Sequence, residues 1–467
     1  MAKKKMTLEE KLEEAIVKDA PYEVPDNWIN VKLNSIVKFE KGKKPKILID
    51  DFEDKAIPYV TIKYFQTKEA DQYTFETETN RLCKEDDILI VWDGARAGLI
   101  GTGVKGALGS TLCNIRFDDI NKKFMYYYFL SKYDLINSNT KGTGIPHVDP
   151  SYLDTLVLSI PPLKEQQRIV DRIESLFEKL DKAKELIEEA RDDFEKRKSA
   201  VLEKAFRGEL TKEWRKESYI NSNLMELLLN QNNKLKKNFT FSEATELFEL
   251  PNQWNWIKLK DCCEKFKYGT SAKSKEEGKV PVLRMGNLQE GKLDWTNLVY
   301  TSDEEEIKKY ELISGDLLFN RTNSPELVGK TSIYEGEREA IYAGYLIRVR
   351  TLEGIDSRFV NYFMNSIFAK HRCMEVKSDG VSQSNINAEK LGDFDIPLPP
   401  TEEQKEIVRI LDKLLENESK IEELTALEKQ IELIKKSILA KVFRGQLGTN
   451  SEDDESAIEL LKEILNK

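Results

Sequence analysis

From Ile169 onward, apolar residues fall at Ile173, Leu176, Leu180, Ala183, Ile187, Ala190 and Phe194. Steps of four and three alternate, which is a heptad stripe on one long helix. At about 1.5 Å per residue, the roughly 40 residues from Lys164 to Glu203 span about 60 Å. A second stripe holds Ile407, Leu411, Leu414 and Ile421, then changes phase to Leu424, Leu427, Ile431, Ile434 and Ile438. Glu418 and Glu428 interrupt it, predicting a bend or more than one packing partner. Two helices of equal length can bury their stripes on each other, and antiparallel pairing puts one head at each end. Pro161-Pro162 and Pro399-Pro400 exclude helix upstream, and Glu165 and Glu402 suit a helix N-terminus. Gly208 and Gly445 follow Phe-Arg at the far ends, as left-handed caps do.

The two helices are copies. SIPPLKEQQRIVDRIESLFEKL begins at Ser159 and DIPLPPTEEQKEIVRILDKLLE at Asp395, with Glu165-Gln166 and Glu403-Gln404 lying 238 positions apart. VLEKAFRGEL at Val201 is echoed by ILAKVFRGQL at Ile438. Solenoid repeats run about 20 to 50 residues, so this period marks a domain duplication. The heads repeat more faintly: YEVPDNWINVKL at Tyr22 matches FELPNQWNWIKL at Phe248, Asp87 faces Asp316, and FMYYYFL at Phe124 faces FVNYFM at Phe359. Between these anchors they diverge. Short apolar stretches at Ile88 to Trp92, Leu317 to Phe319 and Leu346 to Val349 read as strands, and each aromatic run as one helix.

The expected fold class is α+β: two mixed α/β domains separated by two long helices packed as an antiparallel coiled coil, with pseudo-twofold symmetry. The expected segments are an N-terminal helical piece (1–20), head one (21–160), spacer one (161–216), a connector (217–247), head two (248–398), spacer two (399–447) and an acidic tail (448–467). AIELL at Ala457 echoes LMELL at Leu224, so the tail is expected to dock near the start of the other head or on a partner.

Composition narrows the chemistry. Five cysteines without CxxC spacing fit reduced thiols in a cytoplasm, and two histidines, His147 and His371, leave little for a zinc site or a histidine-based constellation. The basic start runs into Glu and Lys, which argues against a signal peptide, and no apolar run is long enough for a membrane span. The net charge of -10 speaks against nucleic acid until its distribution is considered. Residues 451–467 carry six acids and two bases, whereas residues 251–300 hold nine bases and six acids. Nearly neutral heads can hold DNA through a few placed Lys and Arg.

Two variable heads, PPxxEQxxIV-type helix starts, FRGxL helix ends and PxxWxxxKL head starts together resemble the specificity subunit of a type I restriction-modification system, from about Pro21 to Leu447. The resemblance implies a non-catalytic DNA-reading subunit whose two target recognition domains each read half of a bipartite double-stranded site, with the helices setting an unread gap. It also implies two methyltransferase subunits using S-adenosylmethionine and two restriction subunits using ATP and Mg. No cofactor or metal is expected in this chain. A degenerate stand-alone methyltransferase and a duplicated coiled-coil scaffold are the alternatives.

Candidate DNA contacts in the first head are Lys41, Lys43, Lys44 and Lys46 around a Gly-Pro turn, and Lys141, Thr143 and His147 in a Gly-rich loop. In the second they are Lys267, Ser271, Lys273, Arg284, Asn287, Arg321 and Asn323, with the polar loop Ser382, Gln383, Ser384 and Asn385. Arg suits guanine edges, Asn and Gln suit adenine, and Lys mostly holds phosphates. For any one of them a plain solvated loop is the blander account. Glu165, Gln166, Phe206, Arg207, Glu403, Gln404, Phe443 and Arg444 are candidates for docking partners, with helix capping as their blander role. Three apparent motifs fail on context. Gly101, Gly103 and Gly106 spell GxGxxG but precede β-type sequence, VGKTS at Val328 lacks the first Gly of a phosphate loop, and DPSY at Asp149 has Ser151 in place of a second proline.

Overall fold

Each head is opened and closed by one strand pair. In the computed structural model Ile29–Lys32 runs antiparallel to Val157–Ile160, and Asn255–Lys258 antiparallel to Asp395–Leu398. The structure describes residues 6–20, 22–77, 80–142, 144–218, 223–237, 239, 248–380, 383–415, 418–451 and 453–467. The chain divides into a first unit, residues 1–187 with 425–467, and a second, residues 188–424.

In the first unit a four-stranded antiparallel sheet has the order Lys38–Lys41, Leu112–Arg116, Ile88–Val91, Ile100–Gly101. Its side chains alternate between faces, as pleating requires. Ile88, Ile90, Cys113 and Ile115 join a core with Phe124, Met125, Tyr128 and Phe129 of the helix Lys122–Ser138. Leu89, Val91 and Leu112 meet Val60, Phe65 and Leu108 on the other side. There a second sheet carries one parallel pair, with Tyr59 opposite Ala107.

The second unit repeats this plan. Its sheet has the order Lys267–Tyr268, Leu346–Val349, Leu317–Asn320, Thr331–Ile333, and its parallel pair puts Val282 opposite Ile341. One helix per head was expected from the aromatic runs. The run at Phe359 lies on one helix, Ser357–Met364, and a further helix, Ile367–Val376, follows where the Ser366 side chain accepts from Ala369 N.

The first spacer is one helix, Leu163–Phe206. The second holds the helices Thr401–Leu415 and Glu418–Val442, and residues 416–417 between them lie outside the described residues. Within the first unit Asp181 pairs with Lys435 and Lys184 with Glu432, while Lys435 lies over the Phe177 ring. Residue numbers rise on one side as they fall on the other, so 163–187 and 425–442 run antiparallel. The stripe is deeply buried at Ile169, Val170 and Ile173, half-buried at Leu176, Leu180 and Ile187, and exposed at Ala190.

Residues 448–467 are not a free acidic tail. They include the helix Ala457–Asn466, whose Ala457, Leu461 and Ile464 enter the core of the first unit. Ala457 N donates to Asn27 O at 2.9 Å, and Arg168 pairs with Asp454. The helix therefore sits at the start of the first head, as its echo of Leu224 predicts. Leu224–Lys234 plays the same part in the second unit, burying Leu224 and Leu228 while Asn232 Nδ2 donates to Asp261 O at 2.8 Å.

Candidate nucleic-acid interface

The repeated motifs lock each head to its helices. Trp28 Nε1 donates to Glu165 Oε2 at 2.8 Å, and Trp254 Nε1 to Glu403 Oε2 at 2.9 Å. Gln166 Nε2 donates to Pro161 O and its Oε1 accepts from Asn121 N; Gln404 does the same with Pro399 O and Asp356 N. Phe443 stacks edgewise on Tyr128, and Phe206 on Phe359 and Phe363. Gly445 and Gly208 hold φ of +68° and +72°, and a Cβ on either would come within 2.3 Å of Pro25 or 2.4 Å of Pro251.

Glu165, Gln166, Phe206, Glu403, Gln404 and Phe443 are consequently buried in their own units. Their expected role as docking residues is corrected, since these side chains spend their hydrogen bonds and surface inside the chain. Arg207 and Arg444 lie nearer the surface, over the rings of Phe248 and Tyr22 at 4.8 and 5.7 Å.

The candidate DNA contacts collect at one end of each central sheet. In the first unit this end is marked by Lys41, Leu112, Val91 and Ile100. Gly42 N donates to Leu112 O, and a Cβ at Gly42 would fall 2.2 Å from Gly109 O, so the lysine turn is pressed against the neighbouring hairpin. His147 bridges to both Asp93 and Lys141, bringing the Gly-rich loop to the same place. Lys41 pairs with Asp93, and Lys141 with Asp149, each at 2.8 Å. The Lys141 hydrogen bond holds the Asp149 carboxyl below its usual range. Among the described residues Lys43, Lys44 and Lys46 have no carboxylate partner, and all three are exposed. Thr143 lies outside the described residues.

In the second unit the corresponding end is marked by Tyr268, Leu346, Asn320 and Thr331. Gly269 takes the place of Gly42, its Cβ position 2.2 Å from Tyr342 O. Lys267, Ser271 and Lys273 are exposed on and after the edge strand. Arg321 N donates to Tyr345 O, and Asn323 pairs through Thr322–Asn323 with Ser384–Asn385. Gln383 is exposed beside them, and Ser382 lies outside the described residues. Arg284 is exposed after the parallel strand Val280–Leu283, its Nη2 donating to Asn297 O at 2.8 Å.

Two candidates are corrected. Asn287 is 3% exposed; its Oδ1 accepts from Arg284 N and its Nδ2 donates to Asp294 O and Thr296 O, which leaves nothing for a base. Ser384 is fully buried against Asp379. The sequence reading missed Arg81, whose Nη1 donates to Lys41 O at 2.6 Å, and the exposed aromatics Tyr268 and Tyr345. Only the turn signals beside these residues hinted at them. The decoys resolve as expected: Gly101 and Gly106 lie in strands, as does Thr331 of VGKTS. Asp149 caps the short helix Pro150–Leu153.

Two like units, each offering a different set of basic, amide and aromatic side chains at the same end of the same sheet, define a duplicated binding protein. The chain belongs to the family described as the type I restriction modification DNA specificity domain, whose model matches residues 25–191 and 251–433. It is 29% identical over 441 residues to the type I restriction enzyme MjaVIII specificity subunit of Methanocaldococcus jannaschii, covering 91% of this chain and 94% of that protein. The EcoKI specificity subunit of Escherichia coli K12 is 24% identical over 91% of this chain and 90% of its own length. A solved chain described under complex assembly and conformational transition of the type I R-M system matches with a TM-score of 0.62 at 19% identity, covering 91% of this chain and all of that one. The chain is thus a DNA specificity subunit, not the catalytic one.

Proposed function

We propose that each unit reads one half of a two-part double-stranded DNA site through the loops at the interface end of its central sheet. The spacer helices pair as an antiparallel coiled coil and set the unread gap between half-sites. Two methyltransferase subunits using S-adenosylmethionine, and two restriction subunits using ATP and Mg, act on the DNA so held, in cytoplasmic defence against phage. The supporting observation is that one scaffold occurs twice with different side chains at the same sheet end, Lys41 and Lys43 against Tyr268 and Arg321. Dissimilar readers on a common frame call for two dissimilar half-sites, about one helical turn of DNA (roughly 34 Å) or a multiple apart.

Single-molecule sequencing of DNA methylated by this chain with its methyltransferase partner tests the reading. Two half-sites separated by a fixed gap are expected, and exchanging residues 248–398 for those of a relative should change one half-site alone. Inserting one turn into both spacers should lengthen the gap; an unchanged gap sinks the ruler.

A further inference from the structure

Arg321 is held in place, yet among the described residues its guanidinium finds no hydrogen-bond acceptor. Its guanidinium carbon lies 4.8 Å from the centre of the Tyr268 ring. The backbone on either side is fixed, Arg321 N donating to Tyr345 O at 3.1 Å and Arg321 O accepting from Ile386 N at 2.9 Å. The ring is tethered as well, because the Tyr268 hydroxyl accepts from Ala388 N at 3.0 Å. Arg321 Nε is enclosed without a hydrogen-bond partner, and among the described residues no carboxylate or carbonyl takes the terminal nitrogens. Both polar side-chain atoms of the preceding Asn320 are likewise buried and unpartnered.

A partly desolvated guanidinium without acceptors is costly to keep, so its acceptors are expected from outside. A lysine point charge or an arginine fork can each hold a phosphate, so it is the fixed plane, and not the charge, that points to a base. Stacking fixes the plane of the fork, and a fixed planar fork matches two acceptors on one edge, as in guanine O6 and N7. Among the described residues, the equivalent place in the first unit holds no stacked arginine. Counting from Asp87 and Asp316, Trp92 stands at the place of Arg321, and Lys41, at the place of Tyr268, is engaged by Asp93.

We propose that Arg321, held against Tyr268, contacts a guanine edge in the half-site of the second unit and sets the choice of base there. This rests on the two-part reading above and makes it specific to one position.

The test uses the complex of the full chain with its methyltransferase subunit, acting on a randomised DNA pool whose methylated sites are sequenced. The unaltered complex should require guanine at one position of the second half-site. Arg321→Lys and Arg321→Ala should each lower that preference roughly 10- to 100-fold, with the first half-site unchanged as proof of an intact fold. Tyr268→Leu should lose a smaller part of the same preference. The proposal is overturned by an unchanged second half-site, by an even loss over all sequences as a phosphate contact would give, or by complete loss in the Lys variant. An unaltered complex that shows no two-part motif removes the broader reading and this one together. A two-part motif indifferent to Arg321 removes this one alone.

Discussion

The two units solve the same junction with different charges. Glu403 and Glu165 are each fully buried and each accepts from a tryptophan. Glu403 also takes Thr211 Oγ1 at 2.7 Å and the Arg215 guanidinium at 2.6 Å, so its charge is neutralised at contact. Glu165 takes Thr449 Oγ1 at 3.1 Å and Asn450 Nδ2 at 3.0 Å, both uncharged donors. A duplicated frame thus keeps the geometry of its carboxylate and tolerates a change in what compensates it. The lesson extends to the interface ends, where the sheet is kept and the side chains differ.

The largest effect should come from breaking the charged version. Arg215→Ala leaves Glu403 buried without its cation and should destabilise the second unit by about 3–5 kcal/mol. Asn450→Ala removes one neutral hydrogen bond from Glu165 and should cost about 0.5–1.5 kcal/mol. Denaturant midpoints, with hydrogen exchange to localise the loss, measure both; equal costs would erase the distinction between the junctions.

Next in size are the helix ends, where the units should agree. Gly208→Ala and Gly445→Ala each place a Cβ on a left-handed backbone and against a proline ring. Each should cost about 2–3 kcal/mol by strain and overpacking. A clear inequality would show that one of the two caps is not formed in solution.

These frame contacts were only half legible in the sequence. The repeated Pro-Pro, Glu-Gln and Phe-Arg-Gly motifs gave the helix ends, because capping is local. That Trp28 bonds Glu165 was not legible, since the two are 137 residues apart and only the fold joins them. The C-terminal helix was hidden differently: the acids at 453–455 suggested a tail, although Ala457, Leu461 and Ile464 already marked one apolar helix face. At the interface, Asn287 and Arg321 looked equivalent as polar loop residues. A turn draws the first inward, and a ring from a distant strand holds the second outward.

A third prediction sharpens the contrast between the interface ends. Lys43, Lys44 and Lys46 are exposed and unpaired by carboxylates among the described residues, so they are suited to phosphates. Replacing all three with Ala in the complex should weaken DNA binding evenly across sequences. The slope of log affinity against log salt should fall by about 2–3. Arg321→Ala should instead act at one base. A sequence-dependent effect of the lysine triple would reverse the assignment of roles.

The smallest effect concerns the carboxylates that flank both interfaces. Lys141 holds Asp149 below its usual range, and in the second unit Lys377, then Ser384, does the same for Asp379. A carboxylate whose pKa is depressed by folding adds stability above its ordinary pKa and loses it as pH falls through the folded value. Asp379 is exposed and Asp149 half-buried beside an exposed lysine, so the contribution to stability is small, and their titrations are the better readout. Carboxyl NMR of labelled protein should show Asp149 titrating below the ordinary aspartate range and moving up in Lys141→Ala, with Asp379 unmoved. The converse should hold for Lys377→Ala. If DNA binding near neutral pH frees Lys141 for a phosphate, adding DNA should raise Asp149 as the alanine variant does, because the same cation cannot neutralise both. An Asp149 titration indifferent to DNA would keep Lys141 inside the protein and leave the first interface to the lysines around Gly42.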